Sequence, residues 1–225
     1  MVMINLLHGD CLELMKGIPD NSIDMVLTDP PYKIVTGGMS SGFSHKTGNI
    51  FKKSGDGNLF KYHSVNISTW INDVFRVLKD DTQAYFYVND KNMKLYLTEI
   101  EKAGFKLHNI LIWKKNNKVT SRAYMKNCEY IIFCRKGRAK TINNPSTPTV
   151  LEVNNIRNKS HPTEKPVGLN EILIKNSSSE TDTVLDIFMG SGSTGVACKN
   201  LNRKFIGIEK DDNYFNIAKE RIFSE

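Results

Sequence analysis

A chain of 225 residues with 40% hydrophobic and 24% charged side chains suits one α/β domain of an ordinary soluble protein. Residues 1–10 hold no basic region and too short an apolar stretch for a signal peptide or membrane span, so a cytoplasmic protein with no membrane partner is expected. The four cysteines form no C-x-x-C pair, which predicts neither a metal site nor a disulfide framework.

The net charge of +7 is concentrated. Nine Lys or Arg lie between Ile112 and Lys140 against one acid, Glu129. Many such runs are only solvated surface; the neighbouring asparagines and Tyr124 favour a face turned to a polyanion.

In chain order, residues 4–8 read as a first strand, followed by Gly9-Asp10 and a short amphipathic helix over 11–16. The apolar run 23–28 reads as a buried strand, β-branched at several positions and stopped by proline. It closes in Asp29-Pro30-Pro31-Tyr32. Each proline fixes φ and the first restricts its predecessor, so the carboxylate stands on a rigid turn with an aromatic ring just beyond. A fixed acceptor beside a stacking surface suits a planar ring that carries an exocyclic amine. The plainer alternative is a strand-ending turn with an exposed tyrosine. At roughly 5% abundance per residue type, chance places this tetrapeptide in such a chain about once in a thousand.

Residues 33–66 are rich in Gly, Ser, Lys and Asn and show no period. A loop so long is either a lid that orders on substrate or a mobile surface insertion. From Ser68 the alternation resumes: Trp70, Ile71, Val74, Phe75 and Leu78 at helical spacing, a strand over 84–88, and a helix closed at Gly104. Strands over 109–114 and 129–135 follow, and the polar stretch 139–160 resembles a linker or small insertion. Pro166 is expected in the first turn of a helix through Leu169, Ile172 and Leu173. A strand over 183–187, a glycine turn over 190–195, a helix over 194–200, a strand over 205–209 and a last helix complete the chain. Strands alternating with helices predict a mostly parallel central sheet with helices on both faces.

Gly190-Ser191-Gly192-Ser193-Thr194-Gly195 satisfies G-x-G-x-x-G between a strand and a helix, with Glu209 at the next strand tip. Alone it indicates an adenosine-containing cofactor whose ribose Glu209 would bind, or a glycine turn without a ligand. About 30 residues follow Gly195, too few for the second half of a dinucleotide fold. Asp186, just before the glycines, suits a cationic amino-acid tail better than a pyrophosphate. S-adenosylmethionine has both the cationic tail and the ribose.

Asp29-Pro30-Pro31-Tyr32 and Asp186-Ile187-Phe188-Met189-Gly190-Ser191-Gly192 together resemble the beta group of amino-methylating DNA methyltransferases. In that family the catalytic half precedes the cofactor half, a circular permutation of the Rossmann-like methyltransferase fold. The resemblance covers nearly the whole chain. His161-Pro162-Thr163-Glu164-Lys165-Pro166 is similar to the segment before the cofactor strand, and His8-Gly9-Asp10 to the strand end beside the cofactor adenine. Trp113-Lys114-Lys115 and Glu129-Tyr130-Ile131-Ile132-Phe133 resemble the distal strands.

The resemblance implies one domain over 1–225: a catalytic half, 1–138, a short target-recognition insertion, 139–160, and a cofactor half, 161–225. It implies S-adenosylmethionine as the cofactor, met by Asp10 and Asp29 near the amino end and by His161, Thr163, Lys165 and Pro166. Asp186, Phe188, Gly190, Ser191, Gly192, Thr194 and Glu209 complete that set. Asp29 would accept a hydrogen bond from the target amine, aided by the Pro30 carbonyl on the turn that Pro31 completes, while Tyr32 stacks on a base flipped out of duplex DNA. Lys114, Lys115, Lys118, Arg122, Lys126, Arg138 and Lys140 are the expected phosphate contacts. Asp at the first motif position is typical of adenine enzymes and Ser commoner among cytosine ones, so adenine N6 is implied. Cytosine N4, RNA adenine and a non-catalytic nucleic-acid-binding relative are the alternatives. The expected partners are double-stranded DNA, a second copy of the chain and a cognate restriction enzyme. His45, His63 and His108 read as structural or surface, because no metal spacing links them.

Overall fold

The computed structural model describes residues 2–31, 65–119, 124–156 and 164–224. Its strands are β1 (Ile4–His8), β2 (Ile23–Thr28), β3 (Leu78–Val88), β4 (Lys106–Val119), β5 (Lys126–Arg135), β6 (Val150–Glu152), β7 (Thr183–Asp186) and β8 (Lys204–Glu209). Its helices are α1 (Cys11–Leu14), α2 (Ile71–Val77), α3 (Met93–Lys102), α4 (Val167–Ser177), α5 (Ser193–Asn200) and α6 (Asp212–Phe223). The eight strands form one sheet in the order β1-β8-β7-β2-β3-β5-β4-β6, in which only β5 runs against its neighbours.

Period-two alternation sends side chains to opposite faces of this sheet. Val26, Ala84, Phe86, Ile132 and Cys134 turn to the face covered by α1, α2 and α3. Met25, Leu27, Tyr85, Tyr87, Ile131 and Phe133 turn to the face covered by α4, α5 and α6. Each fully buried large side chain contributes roughly 1.5–3 kcal/mol, so both helical layers are held by the sheet's own pattern. The chain leaves β7 through α5 toward β8 and leaves β2 through α2 toward β3, while β7 and β2 are themselves paired. Their carboxyl ends therefore flank the topological switch point, where open α/β sheets bind ligands.

Several elements differ from the expected ones. Strands β3, β4 and β5 are longer: β3 begins at the buried Leu78, which pairs with Ile23, and β4 and β5 run on to a last pair, Val119 with Lys126. Pro166 is the N-cap of α4 rather than part of its first turn; its carbonyl accepts from Leu169 and Asn170. The polar stretch after residue 138 is strapped to the domain. Asn143 donates its side chain to the carbonyls of Lys175 and Ser178, closing the carboxyl end of α4. Residues Val150–Glu152 then add edge strand β6 beside β4, with Leu151 in the core and the Trp113 indole bonded to the Val153 carbonyl.

Among the described residues no helix is long and apolar enough to cross a membrane, and no group of His, Cys, Asp or Glu is placed to hold a metal ion.

Candidate active site at the switch point

Strand β7 ends at Asp186, whose carboxylate is buried and bound by three donors. Thr28 Oγ1 and Thr194 Oγ1 each lie 2.7 Å away, and the Phe188 N–H at 3.1 Å. Burial outweighs these donors and pushes Asp186 up to about 6, with the nearby Asp29 charge acting in the same direction. Thr194 thus supports Asp186, and Asn170 in turn donates to Thr194 at 3.4 Å. Phe188 packs edge-on against the buried Trp70, ring centroids 5.6 Å apart.

The glycines of the turn do separate jobs. Gly190 has φ +52 and open space where a Cβ would stand, which leaves backbone bare toward a ligand. Gly192, at φ +83, would place a Cβ 2.9 Å from that of Ala218, and one on Gly195 would lie 2.8 Å from the Phe205 ring. These two let α5 lie against α6 and β8, a packing role the sequence reading had not separated from ligand approach. Ser191 is turned away as well: its carbonyl and hydroxyl accept from Arg221 at 2.7 and 2.9 Å, and Arg221 pairs with the buried Glu164 at 2.6 Å.

Ser193 Oγ, at the first position of α5, is buried without a hydrogen-bond partner. An orphaned buried hydroxyl costs about 1–3 kcal/mol unless a ligand satisfies it. Neither Ser193 nor Arg221 was singled out by the sequence reading; the serine's position in the glycine turn was the available signal.

At the far edge of the crevice, Glu209 accepts from the backbone N–H groups of Gly190, Lys210 and Asp211 at 2.8–2.9 Å. Burial nevertheless raises its pKa. Asp10 caps α1 through Leu12 N–H and pairs with Lys210 at 2.8 Å, which together hold its carboxyl below the usual range. Glu209 thus ends β8 beside His8 of β1, and Asp10 follows two residues beyond that strand end.

Across the crevice, Asp29 follows β2 with Pro30 and Pro31 behind it. Its carboxylate pairs with the ammonium of Lys165, and the same ammonium lies 3.3 Å from Glu129 Oε2. Glu129 pairs in addition with Lys115. Burial alone would push Lys165 down, yet the charges of Asp29 and Glu129 outweigh it and raise its pKa. Burial likewise would raise Glu129, and the two ammonium groups hold it low instead. Lys165 lies 4.9 Å from the centre of the Tyr87 ring, which is fixed by its hydroxyl's 2.7 Å bond to Asn170.

Lys165, expected at the cofactor, pairs with Asp29, and Lys115, expected on DNA phosphate, pairs with Glu129 and keeps 14% of its side chain exposed. The basic stretch also divides. Because β5 runs backward, Arg138 and Lys140 emerge at the end of the sheet opposite Asp29, about 30 Å from Lys126 at 3.3 Å per residue. There Arg138 is bound to Asp81 at 2.7 Å. At the site's own end, Lys114 pairs with Glu152, Lys126 with Asp90, and Lys118 is exposed. Tyr32, Arg122, His161, Thr163 and the residues 33–64 lie outside the described residues.

An acceptor on a proline turn and a glycine turn joined to a buried carboxylate, at the switch point of a mostly parallel sheet, define a methyltransferase-type α/β protein. The profile of the N6/N4 family described as DNA methylase matches residues 23–220. The chain belongs to this DNA methylase family.

Among its relatives, the type II methyltransferase M2.LlaDCHI of Lactococcus lactis subsp. cremoris is 32% identical, over 96% of this chain and 88% of that protein. The putative methylase YubD of Escherichia coli K12 is 31% identical, over 98% of this chain and 90% of its own length. The crystal structure of the M1.HpyAVI–SAM complex superposes with a TM-score of 0.74 at 28% identity, covering 99% of this chain and all of that one. The PvuII cytosine-N4-specific DNA methyltransferase has the same fold, with a TM-score of 0.76 at 21% identity over 99% of this chain and 87% of its own.

Proposed function

We propose that this DNA methylase transfers a methyl group from S-adenosylmethionine to the exocyclic N6 amine of adenine in duplex DNA, with Asp29 as the acceptor that binds the amine. The observation that carries this reading is the Asp29 carboxylate, paired with Lys165 on a proline turn across the crevice from Asp186. The residues fit the cofactor. Ser193 offers an unsatisfied hydroxyl, Gly190 an open backbone, and Asp186 a buried carboxylate bound by two threonine hydroxyls and a backbone N–H. Asp10 and Glu209 mark the adenosine end.

When bound, S-adenosylmethionine supplies an electrophilic methyl group on a sulfonium. The adenine amine is a poor nucleophile because its lone pair is delocalised into the ring. Asp29 and the Pro30 carbonyl accept its hydrogens, which localises the lone pair on nitrogen and aligns it for direct transfer. Methylation would leave the nitrogen with one proton to shed, which the Asp29 carboxylate would accept and pass to water. Tyr32 stacks on the base. A paired base cannot reach Asp29, so the nucleotide must be flipped at a cost of a few kcal/mol. Phosphate contacts from Lys114, Lys118 and Lys126, at the site's end of the sheet, offset part of that cost.

Adenine follows from Asp at the first position of the tetrapeptide. Relatives named type II methyltransferases support a place beside a restriction enzyme. Incubating the protein with labelled cofactor and either duplex DNA or RNA tests the substrate class. Long-read sequencing of DNA from cells expressing the chain then gives base and site together. Label in RNA alone, or methyl groups on cytosine, would replace this reading.

A further inference from the structure

We propose that Lys165 is a positioning residue for methyl transfer: bridging Asp29 and Glu129, it keeps the Asp29 carboxylate charged and aimed at the target amine. This rests on the reading of Asp29 as the amine's acceptor.

The geometry makes Lys165 unsuited to a surface role. It is 7% exposed at the side chain, and it is the residue before Pro166, whose carbonyl starts α4. A buried lysine persists only when its charge is paired. Here two ammonium groups, Lys115 and Lys165, meet two carboxylates, Asp29 and Glu129, in one chain of contacts among the described residues. The Tyr87 ring, anchored to Asn170 of α4, lies beside the Lys165 ammonium and limits where it can go.

Asp29 needs such a partner. It faces Asp186 from β7 and the hydroxyls of Tyr87 from β3 and Tyr96 from α3, all of which feel its charge. Among the described neighbours the cations on its side are Lys165 and, one contact further, Lys115 of β4 behind Glu129 of β5. A carboxyl group in these surroundings without Lys165 is driven toward its protonated form. A protonated carboxyl presents a donor to the amine instead of a second acceptor, and the lone pair is then no longer localised. Glu129 supplies Lys165 with its second bond, so that the ammonium stays in place when Asp29 turns to the base.

The test compares Lys165→Met, Lys165→Arg and the charge-balanced Lys165→Met/Glu129→Gln in single turnover, with saturating cofactor and duplex DNA, from about pH 6 to about pH 9. Lys165→Met is expected to lose about 100-fold at neutral pH and to recover most of it in alkali, as Asp29 ionises without help. Lys165→Arg, which keeps the charge, should stay within about tenfold at every pH. Cofactor affinity by calorimetry should move by less than about threefold in all three. If Lys165→Met does not fold, the double variant carries the same expected acid limb. A loss equal at all pH values, or rates like the unmodified protein, would overturn the proposal. Asp29→Ala in the same assay separates the two readings: if it is inactive while Lys165→Met is unaffected, only the role of Lys165 falls, whereas an active Asp29→Ala removes the acceptor itself.

Discussion

The two sides of the crevice handle buried carboxylates in opposite ways. On the cofactor side, the bonds that tie Asp186 and Glu209 come from neutral donors, threonine hydroxyls and backbone N–H groups, and burial wins: both are raised. On the Asp29 side, Glu129 keeps 28% of its side chain exposed, lies between two ammonium groups and is held low. Under the proposed function the Asp186 side would meet the sulfonium and ammonium of the ligand, and the Asp29 side, where Lys165 and Lys115 pair with Asp29 and Glu129, would meet a neutral amine. Acid acts on the two sides with opposite sign. Asp186, raised in the folded state, contributes stability that is lost as pH rises through about 6. Glu129, lowered, contributes stability that is present above the ordinary carboxylate range and is lost as pH falls through its depressed value.

The sharpest way to break this comparison is to remove one carboxylate from each side. Asp29→Ala should lower turnover by about a thousandfold while cofactor affinity stays within about threefold. A parallel loss of affinity would mean that the two sides are not separate. Asp186→Ala should do the reverse, weakening cofactor binding about 100-fold in calorimetry, since a cation loses its buried partner. Gly190→Val should match it, because a branched side chain would fill the open space at a positive φ. Unchanged affinity in both variants, with thermal unfolding intact, would defeat the cofactor assignment.

A smaller effect comes from pH alone. Cofactor affinity should fall about tenfold per unit below pH 6, as the proton on Asp186 competes with the cationic ligand. Titration at three pH values would show it; affinity flat to pH 5 would mean that Asp186 does not meet the cation. The smallest effect concerns DNA. Lys118→Ala, at the site's end of the sheet, should reduce the salt slope of duplex binding by about one, whereas Arg138→Ala at the opposite end should leave it unchanged. Equal slopes in the two variants would put the DNA path elsewhere.

What could be read from the sequence depended on how local the cause was. The alternation in residues 23–28 and 84–88, the proline turn at Asp29 and the glycine turn at Gly190 are each written in a few adjacent residues, and the sheet and crevice follow from them. The pairing of Lys165 with Asp29 spans 136 positions and could not be read that way. Lys115 looked like a phosphate contact because its burial depends on Glu129 from the neighbouring strand. Arg138 and Lys140 were grouped with Lys114 by proximity in sequence, and the reversed direction of β5 carries them to the other end. Strand β6 is not legible in the sequence, because three residues with one buried leucine leave no period to detect. Gly192 and Gly195 matched a ligand motif, although what their missing side chains admit is Ala218, Ile222 and Phe205.

The most direct test is mass spectrometry of nucleosides from unmethylated duplex DNA incubated with the protein and S-adenosylmethionine carrying a deuterated methyl group. The account predicts deuterated N6-methyladenine from the unmodified protein and none from Asp29→Ala loaded with the same cofactor. Label on cytosine N4, or N6-methyladenine formed as fast by Asp29→Ala, would contradict it.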